Sequence, residues 1–166
     1  TVRAWAMAGT SDQSELHTLR GATDRPAMLT IRNVVKEMEP LATAELDDYL
    51  HPTVLNVELD DGLCTADEAR IDIQWTTRKD YKFHYTDTEG VNFRWGKHPH
   101  AGDYIHVPGL EHYHPPPDAS SDPDEVEPSC ITQAPEKLIT RAILKLWRVA
   151  YHMNSYEPLN AGNNPP

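Results

Sequence analysis

Long apolar runs are missing from this 166-residue chain, which has only two cysteines, two phenylalanines and few basic residues. No stretch approaches the ~20 apolar residues that span a bilayer, so no membrane-spanning helix and no membrane partner are expected. The opening TVRAWAMAGTSDQ has no apolar core of the kind that marks a secretory signal, which makes a cytoplasmic protein the expectation. Cys64 and Cys130 stand far apart and outside any CxxC pairing, so neither a disulfide framework nor a cysteine-rich zinc site is supported. Also absent are the P-loop, GxGxxG and GxSxG patterns and a Ser-His-Asp order. Readings as an NTPase, a dinucleotide enzyme or a serine hydrolase therefore lack support. With 15 Lys and Arg against 26 Asp and Glu, the formal charge is -11, which excludes a merely electrostatic nucleic-acid binder.

What is present is acid, proline and histidine. Asp and Arg outnumber Glu and Lys, a balance that fits a carboxylate-rich surface working at high salt, a halophilic source, as well as an ordinary acidic protein. The charge is segregated. Residues 37–73 hold eleven acids and one base, and residues 101–131 hold seven acids and no base. By contrast 1–36, 74–100 and 132–152 are each net positive, so basic side chains persist on particular elements.

At this length one domain is the default, and the pattern divides the chain into a flexible N-terminal arm or weakly docked extension over 1–25, a single domain over 26–152 and a C-terminal tail over 153–166. Leu29, Ile31, Val34, Val35 and Met38 recur at helical spacing between Pro26 and Pro40. A second short helix is predicted from Thr43 as N-cap through Leu46, Tyr49 and Leu50 to Pro52. The period then becomes two. Strands are predicted at Val54 to Leu59, Arg70 to Trp75, Tyr81 to Tyr85 and Val91 to Trp95, joined by short polar turns such as Asp60-Asp61-Gly62. Ile139, Ile143, Leu146 and Ala150 form the apolar stripe of a last helix over 135–152. The expected fold class is α+β: an antiparallel four-stranded meander with one face covered by the N-terminal and C-terminal helices. Between the last strand and that helix runs a long His-, Pro- and acid-rich loop, 97–133, of a length associated with function or disorder.

Two constellations can carry chemistry. Alternation places Arg70, Asp72, Gln74, Lys82, His84, Asn92 and Arg94 on the face of the sheet opposite the apolar one. There His84 is a candidate general acid or base, with Lys82 and Arg94 on a phosphate and Asp72 beside them, a minimal kit for metal-independent RNA cleavage. The plainer alternative is that the solvent face of such a sheet is polar in any case. The second constellation is His98, His100, His106, His112 and His114. Four of these, His98, His100, His112 and His114, are candidate metal ligands, with zinc as the low-ranked cofactor and no cofactor as the leading expectation. They are equally able to pack on Tyr104 and Tyr113 or to bond loop backbone, and the prolines after His114 predict a loop there.

Taken in order, Arg70-Ile-Asp-Ile-Gln-Trp75, Asp80-Tyr-Lys-Phe-His-Tyr85, Phe93-Arg-Trp95, His98-Pro-His100 and His112-Tyr-His-Pro-Pro-Pro-Asp118-Ala119 resemble small haloarchaeal proteins related to the TumE-like toxin-antitoxin family. The resemblance spans about residues 27 to 150. It implies a compact α+β protein with a toxin role and an antitoxin partner. The chain departs from that pattern by the arm before Pro26 and by an insertion, Gly102 to Gly109. Three readings follow. In the first, a toxin-like ribonuclease acts on cellular RNA through His84, Lys82, Arg94 and Asp72, with Arg70, His98, His100, His112 and His114 binding substrate. The second is a non-enzymatic module that docks on an antitoxin or a larger assembly, and the third is a His-loop metal protein.

Overall fold

In a computed structural model, which describes residues 18–100, 104, 106–132 and 134–162, Asp24 starts the first helix, α1 (Arg25–Met38). Its carboxylate accepts from the Ala27 backbone N–H at 3.1 Å, and Pro26 occupies the first turn, where a missing N–H costs nothing. Seven strands follow: β1 (Thr43–Leu46), β2 (Leu55–Leu59), β3 (Ala69–Trp75), β4 (Tyr81–Asp87), β5 (Asn92–Lys97), β6 (Glu111–His114) and β7 (Glu127–Pro128). Helix α2 (Glu136–Met153) and a 3-10 turn at Glu157–Asn160 complete the described chain.

All seven strands form one sheet in sequence order, and every pairing is antiparallel. The α+β class is as expected, but the strand count is seven rather than four. The alternation that predicted β2 to β5 is realised in burial: Leu55, Val57, Ile71, Ile73, Trp75, Tyr81, Phe83, Tyr85, Phe93 and Trp95 are all buried on one face. They share one core with Met28, Ile31 and Val35 of α1 and Ile139, Ile143 and Ala150 of α2. Each large apolar side chain fully buried there contributes roughly 1.5–3 kcal/mol.

Three expectations change. The predicted helix at Thr43 is strand β1, whose Ala44 and Leu46 pair with Val57 and Leu55. Asp47 decides this, because its carboxylate accepts from the N–H groups of Thr53 and Val54, at 2.9 and 3.1 Å, and turns the chain back. Tyr49 and Leu50, which suggested a helix face, are 60% and 73% exposed. Secondly, the long loop over 97–133 contains β6 and β7, so His112 and His114 sit on a strand, and the three prolines begin just after it. Thirdly, the described parts of the arm and the tail are docked. Both oxygens of buried Asp80 accept from the Arg20 guanidinium, at 2.9 and 3.0 Å, and Thr23 bridges Thr76. At the other end Leu159 is fully buried, and its carbonyl accepts from Trp95 Nε1 at 3.1 Å. Residues 1–17 of the arm lie outside the described residues.

Candidate functional site

The face of the sheet away from the helices is organised by register. Asn56, Asp72, His84, Arg94 and His114 are successive partners across β2 to β6, and Gln74, Lys82, Gly96 and His112 form the neighbouring row. Side chains at such paired positions stand about 4.5–5.5 Å apart at Cβ, so each row is a line of contacts.

In the centre of this face, the four predicted catalytic residues come together. Asp72 is bound by its own strand neighbour: Arg70 Nε and Nη2 donate to Asp72 Oδ2 at 3.1 and 2.8 Å. Burial still raises the Asp72 carboxyl above its ordinary range, against the opposing pull of Arg70. Lys82 has neither a hydrogen-bond nor an ion-pair partner among the described residues, and burial, aided by nearby Arg94, lowers its amine to about 8. His84 is lowered to about 4, first by burial and then by Arg94, Lys82 and Arg70, so its imidazole is neutral at pH 7. Its Nε2 lies 3.1 Å from Asn92 Oδ1. With that amide oxygen as acceptor, Nε2 carries the ring proton and Nδ1 is left able to take one. Arg94 donates from Nη2 to Ser121 Oγ at 3.0 Å, and no carboxylate among the described residues pairs with it.

The histidines predicted to bind substrate or metal lie at the β6 end of the same face and are mostly enclosed. His98, His112 and His114 are at most 1% exposed. The ring of Tyr104, itself buried with Val107 and Val126, lies 5.0 Å from His100, 5.6 Å from His112 and 5.9 Å from His114. One ring nitrogen of each histidine points to a backbone carbonyl: His98 Nδ1 to Pro99, His100 Nε2 to Gly109, His112 Nδ1 to Leu110 and His114 Nδ1 to Ser120. Carbonyls only accept, so the protons of His100, His112 and His114 sit on these nitrogens. His98 Nε2 and His112 Nε2 approach to 3.1 Å, and with the His112 proton on Nδ1 it is His98 Nε2 that donates. Burial and the His98 neighbour push His112 down to about 3. Among the described residues no group of three His, Cys, Asp or Glu side chains could hold a metal ion. His106 is exposed and joins neither cluster.

A family model described as Toxin TumE matches residues 31–146, about seven tenths of the chain. The chain belongs to the TumE toxin family. No curated protein and no solved structure matches it. TumE membership points to a toxin-like component of a toxin-antitoxin pair and to an antitoxin as partner. The span shared with the TumE family holds all seven strands and both rows of the polar face, whereas Arg20 and Thr23 lie before it. No helix among the described residues is long and apolar enough to cross a membrane.

Tyr104, offered by the sequence as a packing partner of the histidines, does cap them. Sequence reasoning missed two contributors to the site of this TumE relative. Ser121 reaches Arg94 from the segment after the prolines. The second is the segment 18–24, held along the end of β3 by Asp24 N–H to Trp75 O, Thr77 N–H to Ala22 O and the Arg20–Asp80 pair. Burial would raise the Asp80 carboxyl, but the bonds from Arg20 reverse this and hold it below the usual range. An arginine and an aspartate sixty positions apart carry no local signal of their pairing.

Proposed function

We propose that this chain is the toxin-like member of a toxin-antitoxin pair and cleaves RNA, without a metal, on the open face of β3 to β5. One observation carries this reading: Lys82 and Arg94 flank a neutral imidazole, and neither is paired with a carboxylate among the described residues, in a chain that holds 26 acids. Cations kept this way favour an incoming phosphate.

In the proposed reaction the ribose 2′-oxygen attacks the adjacent phosphorus as its bond to the 5′-oxygen of the next nucleotide breaks. The products are a 2′,3′-cyclic phosphate and a free 5′-hydroxyl. His84 Nδ1 takes the proton of the 2′-hydroxyl, and the Lys82 ammonium gives one to the departing 5′-oxygen. Arg94 neutralises charge that builds on the non-bridging oxygens. Asp72, held by Arg70 and opposite His84 in register, acts as a positioning residue. The reaction needs His84 deprotonated and Lys82 protonated, so the rate rises through about pH 4 and falls through about pH 8. The test is incubation of the purified full chain with cellular RNA beside its His84→Ala variant. Loss of cleavage in the variant is expected, and equal cleavage by both, or none by either, overturns the proposal.

A further inference from the structure

At the Lys82 end of the open face the segment 18–24 walls off a cavity of about 420 Å³ against β3 and β4. Gly21, Thr23, Thr53, Gln74, Thr76 and Lys82 are among its lining residues, and among the described residues no Asp or Glu lines it. The contrast lies on the same face, where a cavity between β1, β2 and β3 is lined by Glu45, Asp47 and Glu58. In so acidic a chain, a recess with no carboxylate among its described lining residues, around a lysine without an ion-pair partner among the described residues, is a place for an anion.

Its size and neutral polar groups say more. A lone phosphate needs far less room, whereas about 420 Å³ falls in the range of small-ligand sites. Gln74 and Lys82 are direct partners across β3 and β4, and His84 is two residues farther along β4. Thus a group seated by Lys82 has Gln74 beside it on β3, while His84 follows along β4 just outside the cavity lining. An amide with two donors and an acceptor, together with threonine hydroxyls, matches the edge of an unpaired base. The wall passes close to Arg78: at Gly21, which has φ +89, a Cβ would stand 2.7 Å from Arg78 Cγ, so the backbone there favours glycine.

We infer that this cavity is a nucleotide subsite, which takes one unpaired nucleotide of single-stranded RNA, its base against Gln74 and the threonines and its phosphate against Lys82. The inference rests on the reading of the open face as an RNA site. The test measures binding without cleavage. A fluorescent single-stranded 2′-O-methyl RNA, which has no free 2′-hydroxyl, is titrated at one salt concentration into the full chain and its Gln74→Leu, Lys82→Gln and Lys137→Gln variants. Lys137 is exposed on α2, so Lys137→Gln changes net charge as Lys82→Gln does but far from the cavity. Affinity is expected to fall about tenfold in each cavity variant and to stay within about twofold in Lys137→Gln. Equal losses in Lys82→Gln and Lys137→Gln, or affinity unchanged in Gln74→Leu, overturn the subsite.

A readout on the unmutated chain removes any dependence on folding of the variants. Acetylation of Lys82 by an amine-reactive ester is expected to slow at least fivefold with saturating oligonucleotide and not with equimolar inorganic phosphate. Unchanged acetylation, or equal protection by phosphate, overturns the subsite. If unmodified RNA is bound with these losses but never cut, the subsite stands and the ribonuclease reading falls. If RNA is cut in a His84-dependent way while Gln74→Leu binds as the unmutated chain does, the reverse holds.

Discussion

His84 and His112 stand on the same face of one sheet, two strands apart, and both imidazoles are kept neutral by burial, yet their surroundings differ. His112 is fully enclosed by His98, His100, His114 and Tyr104, with Nδ1 committed to the Leu110 carbonyl. His84 is half-buried, bonded to one amide, and flanked by Lys82 and Arg94. A depressed imidazole is thus not in itself a mark of function. At the β6 end it reflects a sealed polar core, and in the centre it accompanies cations that no carboxylate pairs with among the described residues.

The widest separation between the two regions is expected in RNA cleavage. His84→Ala should lower the rate by about 10²–10⁴-fold, the usual worth of a general base, with a stability change under about 1 kcal/mol in urea unfolding. Comparable loss of folding would place His84 with the structural histidines. Next in size, His112→Ala removes a fully buried ring and is expected to cost about 2–4 kcal/mol in the same unfolding measurement. A cost near zero would mean the β6 end is not the sealed core described above.

Acid titration tests both regions together. Unfolded histidine titrates near 6.5, whereas His84 and His112 are lowered to about 4 and about 3 in the folded chain. Between those values the unfolded chain binds more protons, so the stability linked to these rings is complete above pH 6.5 and drains as pH falls toward 3. His112→Phe should flatten that slope by up to about 1.4 kcal/mol per pH unit, one proton's worth, as read from urea midpoints at several pH values. An unchanged slope would mean that His112 binds a proton in the folded chain.

The smallest effects concern two cations of the central strands. Arg70→Met leaves the half-buried Asp72 carboxylate without its ion pair and should destabilise by about 1 kcal/mol. Lys82→Met removes an amine that has no counter-charge among the described residues and should be neutral or stabilising by up to about 1 kcal/mol, while cleavage is lost. Thermal melts of both variants, with the same sign for each, would erase the distinction between a paired structural cation and one held ready for substrate.

Much of this architecture was legible from one period. Side chains that alternate along β2 to β5 face core and solvent by turns, so Lys82, His84, Arg94 and Asp72 could be grouped before any coordinates. What was not legible depended on long-range partners or on side chains that redirect backbone. Asp47 turned an apparent helix into β1. The prolines after His114 concealed β6, because a strand of four residues needs only to end before them. Glu111, on the buried side of that strand, accepts from Tyr81 Oη at 2.6 Å, a pairing that no alternation rule anticipates. The segment 18–24 carries no local signal of its docking, because its ties, Arg20 to Asp80 and Thr23 to Thr76, lie far off in sequence.

Strand order in the sheet is identical to order in the chain. On a ribosome each strand can therefore dock on the one made just before it, and Lys82, His84 and Arg94 become neighbours as soon as β5 emerges. The apolar side of that nascent sheet is covered only in part, by α1, until α2 has been synthesised, since Ile139, Ile143 and Ala150 complete the core. The polar face is thus assembled early but made rigid late, and a polypeptide stalled before α2 would be aggregation-prone.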